Sequence, residues 1–213
     1  MSANTRRTLL LVVQAALCEA ALAGQLVYHG HIGHLLLSGI AHVARVRVIA
    51  EPAVRLRAVQ EPGAAPGEGL RLLRKVDEER RAWVRFLFGV EWEDPLLYDL
   101  VLNLSRMTLE TATHLVVALT TRPEFQPTAA SRQAVADLTL ASRVSAQLAT
   151  DPRTAGLTVG VEAAAGVVTL TGALVRDEEL ELIPTLVRQV PGVTAVRPLL
   201  KLLPVAAYAF QCP

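Results

Sequence analysis

The strongest constraint in the sequence is a change of hydrophobic pattern at residues 123–130, PEFQPTAA, a segment that predicts a linker. Before it, short apolar runs alternate with stretches of helical period. After it, a helical stretch precedes two alternating runs, a second helical stretch and a final alternating run. The pattern predicts an α/β chain of two domains, residues 1–122 and residues 131–213.

The composition fits two small cores. The chain has 213 residues, of which 52% are apolar and 19% charged, so it is not a disordered protein. A formal net charge of +1 excludes the strongly basic surface typical of nucleic-acid-binding proteins, and we expect no nucleic-acid partner. The mean hydropathy of +0.36 is high. However, no uninterrupted apolar run reaches the roughly 18 residues that predict a membrane span.

The N-terminal segment has two interpretations. Apolar side chains at helical spacing predict an amphipathic helix over residues 8–23. Two arginines before an apolar run, with a small-x-small site at residues 21–23, also resemble a signal peptide, although Gln14 and Glu19 interrupt the run. The helix, together with the presence of only two cysteines, predicts a cytoplasmic protein. A cleaved signal would instead make it a periplasmic, exported protein.

The part before the linker predicts a parallel sheet with helices on its faces. The segment EPGAAPGEG at residues 61–69 predicts a break between two helices. Strands are predicted at residues 25–29, 44–50 and 97–102, and helices at residues 35–42, from Pro52 onward, at 70–88 and at 109–119.

Three stretches of this first part together resemble the cytidylate kinase-like family of P-loop phosphotransferases. They are GQLVYHG at residues 24–30, VRVIA at residues 46–50 with Arg55 after it, and residues 77–103. The last combines D-x-x-R, an aromatic-Gly-x-x-Trp loop and YDL-x-x-N in family order. The resemblance implies a truncated P-loop-kinase-like parallel sheet with flanking helices. For any bound nucleotide, it implies a phosphate-binding group of Arg55, Arg74, Asp77 and Arg80, in which the arginines contact the phosphates and Asp77 orients them.

The chain departs from this family at the residues that bind the donor and acceptor phosphates. The 213 residues contain no G-x-x-x-x-G-K-[ST] loop, the motif that holds donor phosphates. His31 follows Gly30 where the family usually has an arginine for the acceptor phosphate. We therefore predict a degenerate domain without catalytic residues or cofactor. The alternative is a cytidylate kinase, acting on ATP and CMP with Mg²⁺, whose P-loop lies upstream of this chain.

A missing phosphate-loop strand has a structural consequence. In the family this strand lies between those corresponding to residues 25–29 and 44–50, so its absence predicts an open position in the sheet, and unpaired strand edges need cover. Three arrangements would close it. The two strands pair directly, a second copy or another protein partner completes the sheet, or the true start of the chain lies upstream.

Residues 131–213 predict a compact α-β-β-α-β module, with a β-hairpin between its first helix and its second. The stretches GVVTLTG at residues 166–172 and PGVTAV at residues 191–196 resemble the BON domain family. Gly166, Gly172 and Gly192 are the motif positions where the backbone turns tightly. The resemblance implies binding of phospholipid or a protein partner rather than catalysis. We predict a non-catalytic binding or regulatory protein that combines the two domains.

For two other groups of side chains, we predict a structural role instead of a functional one. His29, His31 and His34 are spaced as H-x-H-x-x-H, but no carboxylate or cysteine lies close to them in sequence, so we predict no metal site. Trp83 and Phe86 stand three residues apart, and this spacing predicts that they pack a helix onto the sheet.

Overall fold

The computed structural model describes residues 3–59 and 67–203. The chain divides into two compact units. The central unit is Tyr28–Thr128, and the C-terminal unit combines Met1–Val27 with Ala129–Pro213. The elements in chain order are α1 (Ala3–Ala23), α2 (Gly33–Leu36), β1 (Val46–Ile49), α3 (Pro52–Val59), α4 (Glu68–Phe88), β2 (Leu100–Asn103), α5 (Leu109–Thr120), α6 (Ala129–Thr150), β3 (Gly160–Ala164), β4 (Val167–Leu174), α7 (Glu178–Arg188) and β5 (Ala195–Leu202).

The central unit is built on a parallel pair of strands. β1 and β2 run in register from Val46 opposite Leu100 to Ile49 opposite Asn103. The crossover between them contains α3 and α4, as parallel strands require. Side chains from α2, α4 and β2 form its interior, where Leu36, Val84 and Leu102 are almost fully buried. The predicted parallel α/β arrangement is confirmed.

Two predictions for the central region are wrong. Residues 25–29 form no strand, and Val27 is 95% exposed, because the chain turns instead of extending. Gly24 and Gln25 both have positive φ, and the Tyr28 ring lies so close to Gly30 and Gly33 that neither position has space for a Cβ atom. The helix predicted over residues 35–42 is also shorter, since α2 ends at Leu36. The strand that would have paired directly with β1 is therefore absent from residues 25–29.

Some predicted features lie outside the described residues. Most of the break predicted at residues 61–69 does so, and the second cysteine, Cys212, also lies outside them. Cys18 is described as a free, buried thiol, and burial raises its pKa.

The C-terminal unit contains the predicted α-β-β-α-β module. Its sheet has the order β3-β4-β5, with β3 and β4 antiparallel and β4 and β5 parallel. The alternating pattern points Val168, Leu170 and Leu174 toward one face, where they are buried. Side chains from α6 and α7 complete this core; they are Leu140, Val144, Leu148, Ile183, Leu186 and Val187.

Helix α1 packs on α6 within the same unit. Leu17 and Cys18 are buried there. The Thr139 hydroxyl donates to the Cys18 carbonyl at 3.2 Å, and Cys18 Sγ lies 3.6 Å from Ser142 Oγ. At the other end of α1, Arg7 donates to Thr158 Oγ1 at 3.1 Å. The division predicted from sequence placed this helix in residues 1–122. In the structure, α1 instead packs on α6 and lies in the C-terminal unit.

Within residues 3–59 and 67–203, no helix combines the length and the apolar content that crossing a membrane requires.

The three motif glycines of the module occupy backbone positions with positive φ. Ala165 and Gly166 have φ of 48° and 84° in the two-residue hairpin turn, as expected of a type I′ turn. The Gly166 carbonyl accepts from Thr194 N at 2.8 Å, so this turn also holds the start of β5. Gly172 has φ of 146°, and a Cβ atom there would lie 2.8 Å from the Thr158 carbonyl oxygen.

We expect Gly172→Ala to destabilise the C-terminal unit by about 2 kcal/mol, because the new methyl group meets backbone rather than a movable side chain. Gly192→Ala is the matched control. Its φ is 97°, and its Cβ would meet only Leu140 Cδ1 at 3.5 Å, so it reports the backbone strain alone. Urea denaturation followed by circular dichroism measures both. Equal losses of stability would contradict the assignment of a steric role to Gly172.

Candidate functional site

The predicted phosphate-binding residues lie on α3 and α4 in the central unit. Arg55 and Asp77 form a two-point ion pair, with Arg55 Nη1 at 2.5 Å from Asp77 Oδ2 and Nη2 at 2.9 Å from Oδ1. Both side chains are half-buried. The hydrogen bonds from Arg55 lower the pKa of Asp77, so its carboxylate stays ionised. The end of the Arg55 guanidinium is therefore occupied by the chain itself.

The other two predicted residues do not join this pair. Arg74 and Arg80 are exposed on α4, and neither forms an ion pair with a described residue. The charge of Arg80 still acts at a distance, because it helps to lower the pKa of Asp77 and that of His31. The structure thus brings together two of the four predicted residues and leaves the other two at the surface.

Further arginines of α4 are neutralised by the loop that follows the helix. Arg81 Nη2 lies 2.9 Å from Glu93 Oε1, and Arg85 Nη2 lies 2.7 Å from Glu91 Oε2. Gly89 ends α4 in the left-handed conformation, with its N–H donating to the Arg85 carbonyl, and the chain then folds back beside the helix. The excess positive charge along α4 therefore does not form one open anion-binding surface.

A second polar cluster, which sequence reasoning did not assign, lies at the start of β1 and β2. Asp99 accepts from the Arg45 backbone N at 2.8 Å and from its Nε at 3.1 Å and Nη2 at 2.7 Å. These bonds lower the pKa of Asp99. The YDL-x-x-N stretch that carries the family resemblance contains Asp99. The only sequence signal for the cluster was therefore the motif itself, and nothing in it pointed to Arg45.

Next to this pair, Arg47 is held between two aromatic rings. Its guanidinium carbon lies 5.3 Å from the Trp92 ring centroid and 5.5 Å from that of Tyr98, within the range of cation–π attraction. Both Arg47 Nη1 and the Tyr98 hydroxyl donate to the Trp92 carbonyl, at 3.0 and 2.8 Å. The aromatic-Gly-x-x-Trp loop is thereby fastened to β1.

His34 completes the cluster. Its ring centroid lies 4.8 Å from that of Tyr98. Its Nε2 atom is buried and has no hydrogen-bond partner among the described residues. Burial, followed by the charges of Arg45 and Arg47, lowers the pKa of His34 to about 4. The imidazole is therefore neutral at physiological pH, and we assign it a packing role.

The histidine spacing brings no metal site together in the part of the chain that the structure describes, where no three His, Cys, Asp or Glu side chains are placed to share an ion. The His31 ring lies 6.4 Å from Trp83 instead. The prediction that Phe86 packs α4 onto the sheet is wrong. Its side chain is 67% exposed, because Val84 occupies the buried side of the helix.

Comparison with protein families agrees with both resemblances. Residues 4–106 match the cytidylate kinase-like family, and residues 136–204 match the BON domain. The chain carries a cytidylate kinase-like segment and a BON domain. No curated protein matches it. The cytidylate kinase-like match includes α1, the helix that packs on the BON domain in the structure.

The lowered pKa of His34 predicts a pH dependence of stability. Its folded-state pKa of about 4 lies below the ordinary histidine pKa of 6.5. The unfolded chain therefore takes up a proton first as the pH falls. We expect stability to decrease between about pH 6.5 and 4, by up to about 3 kcal/mol, and this part of the loss to be absent in His34→Phe.

Thermal unfolding of both proteins at pH 7.5 and across this window measures the difference. The pKa of His31 is also lowered by burial, and because His31 is present in both proteins, the comparison isolates His34. Parallel pH profiles would show that the ring accepts its proton in the folded state.

Proposed function

We propose that the protein is a non-catalytic binding protein, in which the cytidylate kinase-like segment transfers no phosphoryl group and the BON domain engages a phospholipid surface. The observation that carries the first part is the Arg55–Asp77 pair. Both terminal nitrogens of Arg55 are bonded to the chain's own carboxylate, where a nucleotide site needs them for phosphate.

A phosphate that entered here would have to displace Asp77. The pair is charge-assisted and bidentate, the strongest geometry that a guanidinium forms. Separating it would leave a half-buried carboxylate without its partner, at a cost of about 1–3 kcal/mol. A phosphate would need to recover this cost, and two further arginines of α4, Arg81 and Arg85, are already bonded to Glu93 and Glu91. The donor side offers no support either, since these 213 residues contain no G-x-x-x-x-G-K-[ST] motif.

The substitution Asp77→Asn separates this proposal from the rival kinase. We expect ATP, CMP and CTP with Mg²⁺ to bind only weakly to the unchanged protein in calorimetric titrations. Removing the competing carboxylate should raise the affinity of the variant for these phosphates by about fivefold. Glu78→Gln removes the same charge from the same helix, next to a residue that touches Arg55, and should have no such effect.

In a working nucleotide site, Asp77 would orient Arg55 toward phosphate. Tight binding to the unchanged protein that weakens in Asp77→Asn would therefore contradict the proposal.

A phospholipid surface as the partner of the BON domain is supported by the outward side of α1. Thr5, Leu9, Val12, Val13, Ala16, Ala20 and Ala23 recur at helical spacing on the side away from Leu17 and Cys18, and all are exposed. Exposure reaches 48% at Leu9, 41% at Val12 and 37% at Val13. We call these seven residues the α1 outer stripe. It contains no charged residue, and Glu19 at its flank pairs with Arg143 at 3.1 Å.

An apolar stripe on a helix that lies along a folded domain has the form of an interfacial membrane contact. Transfer of these apolar side chains from water into the lipid interior is favourable. We regard lipid as the partner because six of the seven stripe residues are apolar and none offers a charge for recognition of a polar protein surface.

We expect the full chain to float with liposomes and the double variant Leu9→Ser, Val13→Ser to lose most of this binding, by about tenfold, because two exposed apolar anchors are removed. The fold should survive, since neither side chain belongs to the buried core. Val117→Ser alters a side chain of similar exposure on α5 in the central unit and serves as the control. Equal flotation of all three proteins would refute a lipid role for α1.

A further inference from the structure

An open cleft of about 190 Å³ lies within the C-terminal unit, between the end of α1, the middle of α6, the hairpin turn and the turn after α7. Gly166 and Gly192 contribute backbone without side chains, and Leu140 lies beside them. Leu22, half of whose surface is exposed, lines its edge. Neither family resemblance assigns a ligand to this cleft.

In the cleft, one oxygen of the Asp137 carboxylate is available for a ligand. Asp137 Oδ1 accepts from the Ala165 backbone N at 2.7 Å and from Gln133 Nε2 at 2.9 Å. These two bonds fix the side chain against the hairpin turn. Asp137 Oδ2 accepts from no described residue. A fixed carboxylate oxygen is therefore available to a hydrogen-bond donor on a ligand.

Arg143, which also lines the cleft, has one guanidinium nitrogen available for a ligand. Arg143 Nε donates to Glu19 Oε1 at 3.1 Å, and Nη1 donates to the Pro191 carbonyl at 3.1 Å. Its Nη2 atom donates to no described residue. Asp137 and Arg143 are six residues apart on α6, so about 9 Å of helix rise separates their Cα atoms.

A small ligand that contacts both Asp137 and Arg143 needs a positive group for Asp137 and a negative group for Arg143. Arg143, Glu19 and Asp137 together carry one net negative charge, so an anion alone is disfavoured. A primary ammonium group is the natural partner of Asp137 Oδ2, because it supplies hydrogen bonds as well as charge. A phosphate suits Arg143 Nη2, since a guanidinium matches phosphate oxygens.

We propose that the cleft binds an ethanolamine phosphate group, with its ammonium at Asp137 and its phosphate at Arg143. The inference rests on the proposed lipid-binding function, for which it names the headgroup. The same chemistry occurs in phosphatidylethanolamine and in free O-phosphoethanolamine. A choline headgroup has no N–H to donate to Asp137, and a glycerol headgroup has no positive charge.

The test measures flotation of the full chain with phosphatidylcholine vesicles, alone or with added phosphatidylethanolamine or phosphatidylglycerol. We expect the ethanolamine lipid to give the strongest binding. Asp137→Asn and Arg143→Gln should each reduce this preference by about tenfold. The Asn side chain can still accept from Ala165 N, so the hairpin turn is retained.

Asp177→Asn and Arg153→Gln, exposed residues outside the cleft, are matched controls and should change nothing.

Free O-phosphoethanolamine distinguishes the two sources. In NMR titrations it should shift the amides of Gly166 and Gly192, whereas phosphocholine should not. A shift without vesicle binding would support the ligand chemistry of the cleft and contradict the lipid part of the proposed function. Equal flotation with all three lipid compositions would overturn the cleft assignment and leave membrane binding intact. Loss of the preference in the control variants would also overturn it.

Discussion

The burial of α6 on two sides is the constraint on which the C-terminal unit depends. On one side of α6, Val144 and Leu148 pack against the sheet and are buried. The other side presents Thr139 and Ser142, which are as deeply buried although they are polar. Burying hydroxyl groups is costly unless they are hydrogen-bonded. Here Thr139 donates to the Val135 carbonyl of its own helix at 2.7 Å and also reaches the Cys18 carbonyl at 3.2 Å, while Ser142 contacts the Cys18 thiol. Helix α1 covers these two side chains by packing on α6 and is thereby part of the unit.

This arrangement also decides what the unit offers to other molecules. Because α1 lies over α6, the exposed helical surface is the α1 outer stripe and not the first helix of the BON module. The same packing brings Glu19 to Arg143 and Leu22 to the edge of the cleft. The proposed membrane contact and the proposed headgroup site are therefore both consequences of one helix–helix contact.

In the central unit, pairing between arginines and carboxylates has a comparable effect. The pairs Arg55–Asp77, Arg45–Asp99 and Arg81–Glu93 each join residues from different elements. They fasten helices and loops around a sheet that, in the described residues, has only two strands. Such pairs are half-exposed and individually contribute modestly to stability. Their larger effect is chemical, since they occupy the guanidinium groups that a phosphate would otherwise use.

Periodicity and turn residues in the sequence were sufficient to predict the α/β class, a parallel sheet before the linker, and the order of the elements in the C-terminal module. These features depend on local preferences and on alternation along one strand, which neighbouring residues decide. The tertiary structure alone decided that residues 25–29 turn instead of extending, that Thr139 and Ser142 are interior, and that Arg55 meets Asp77. Each of these depends on side chains that are distant in sequence or on the fit of a ring against a glycine, and no local pattern records such contacts.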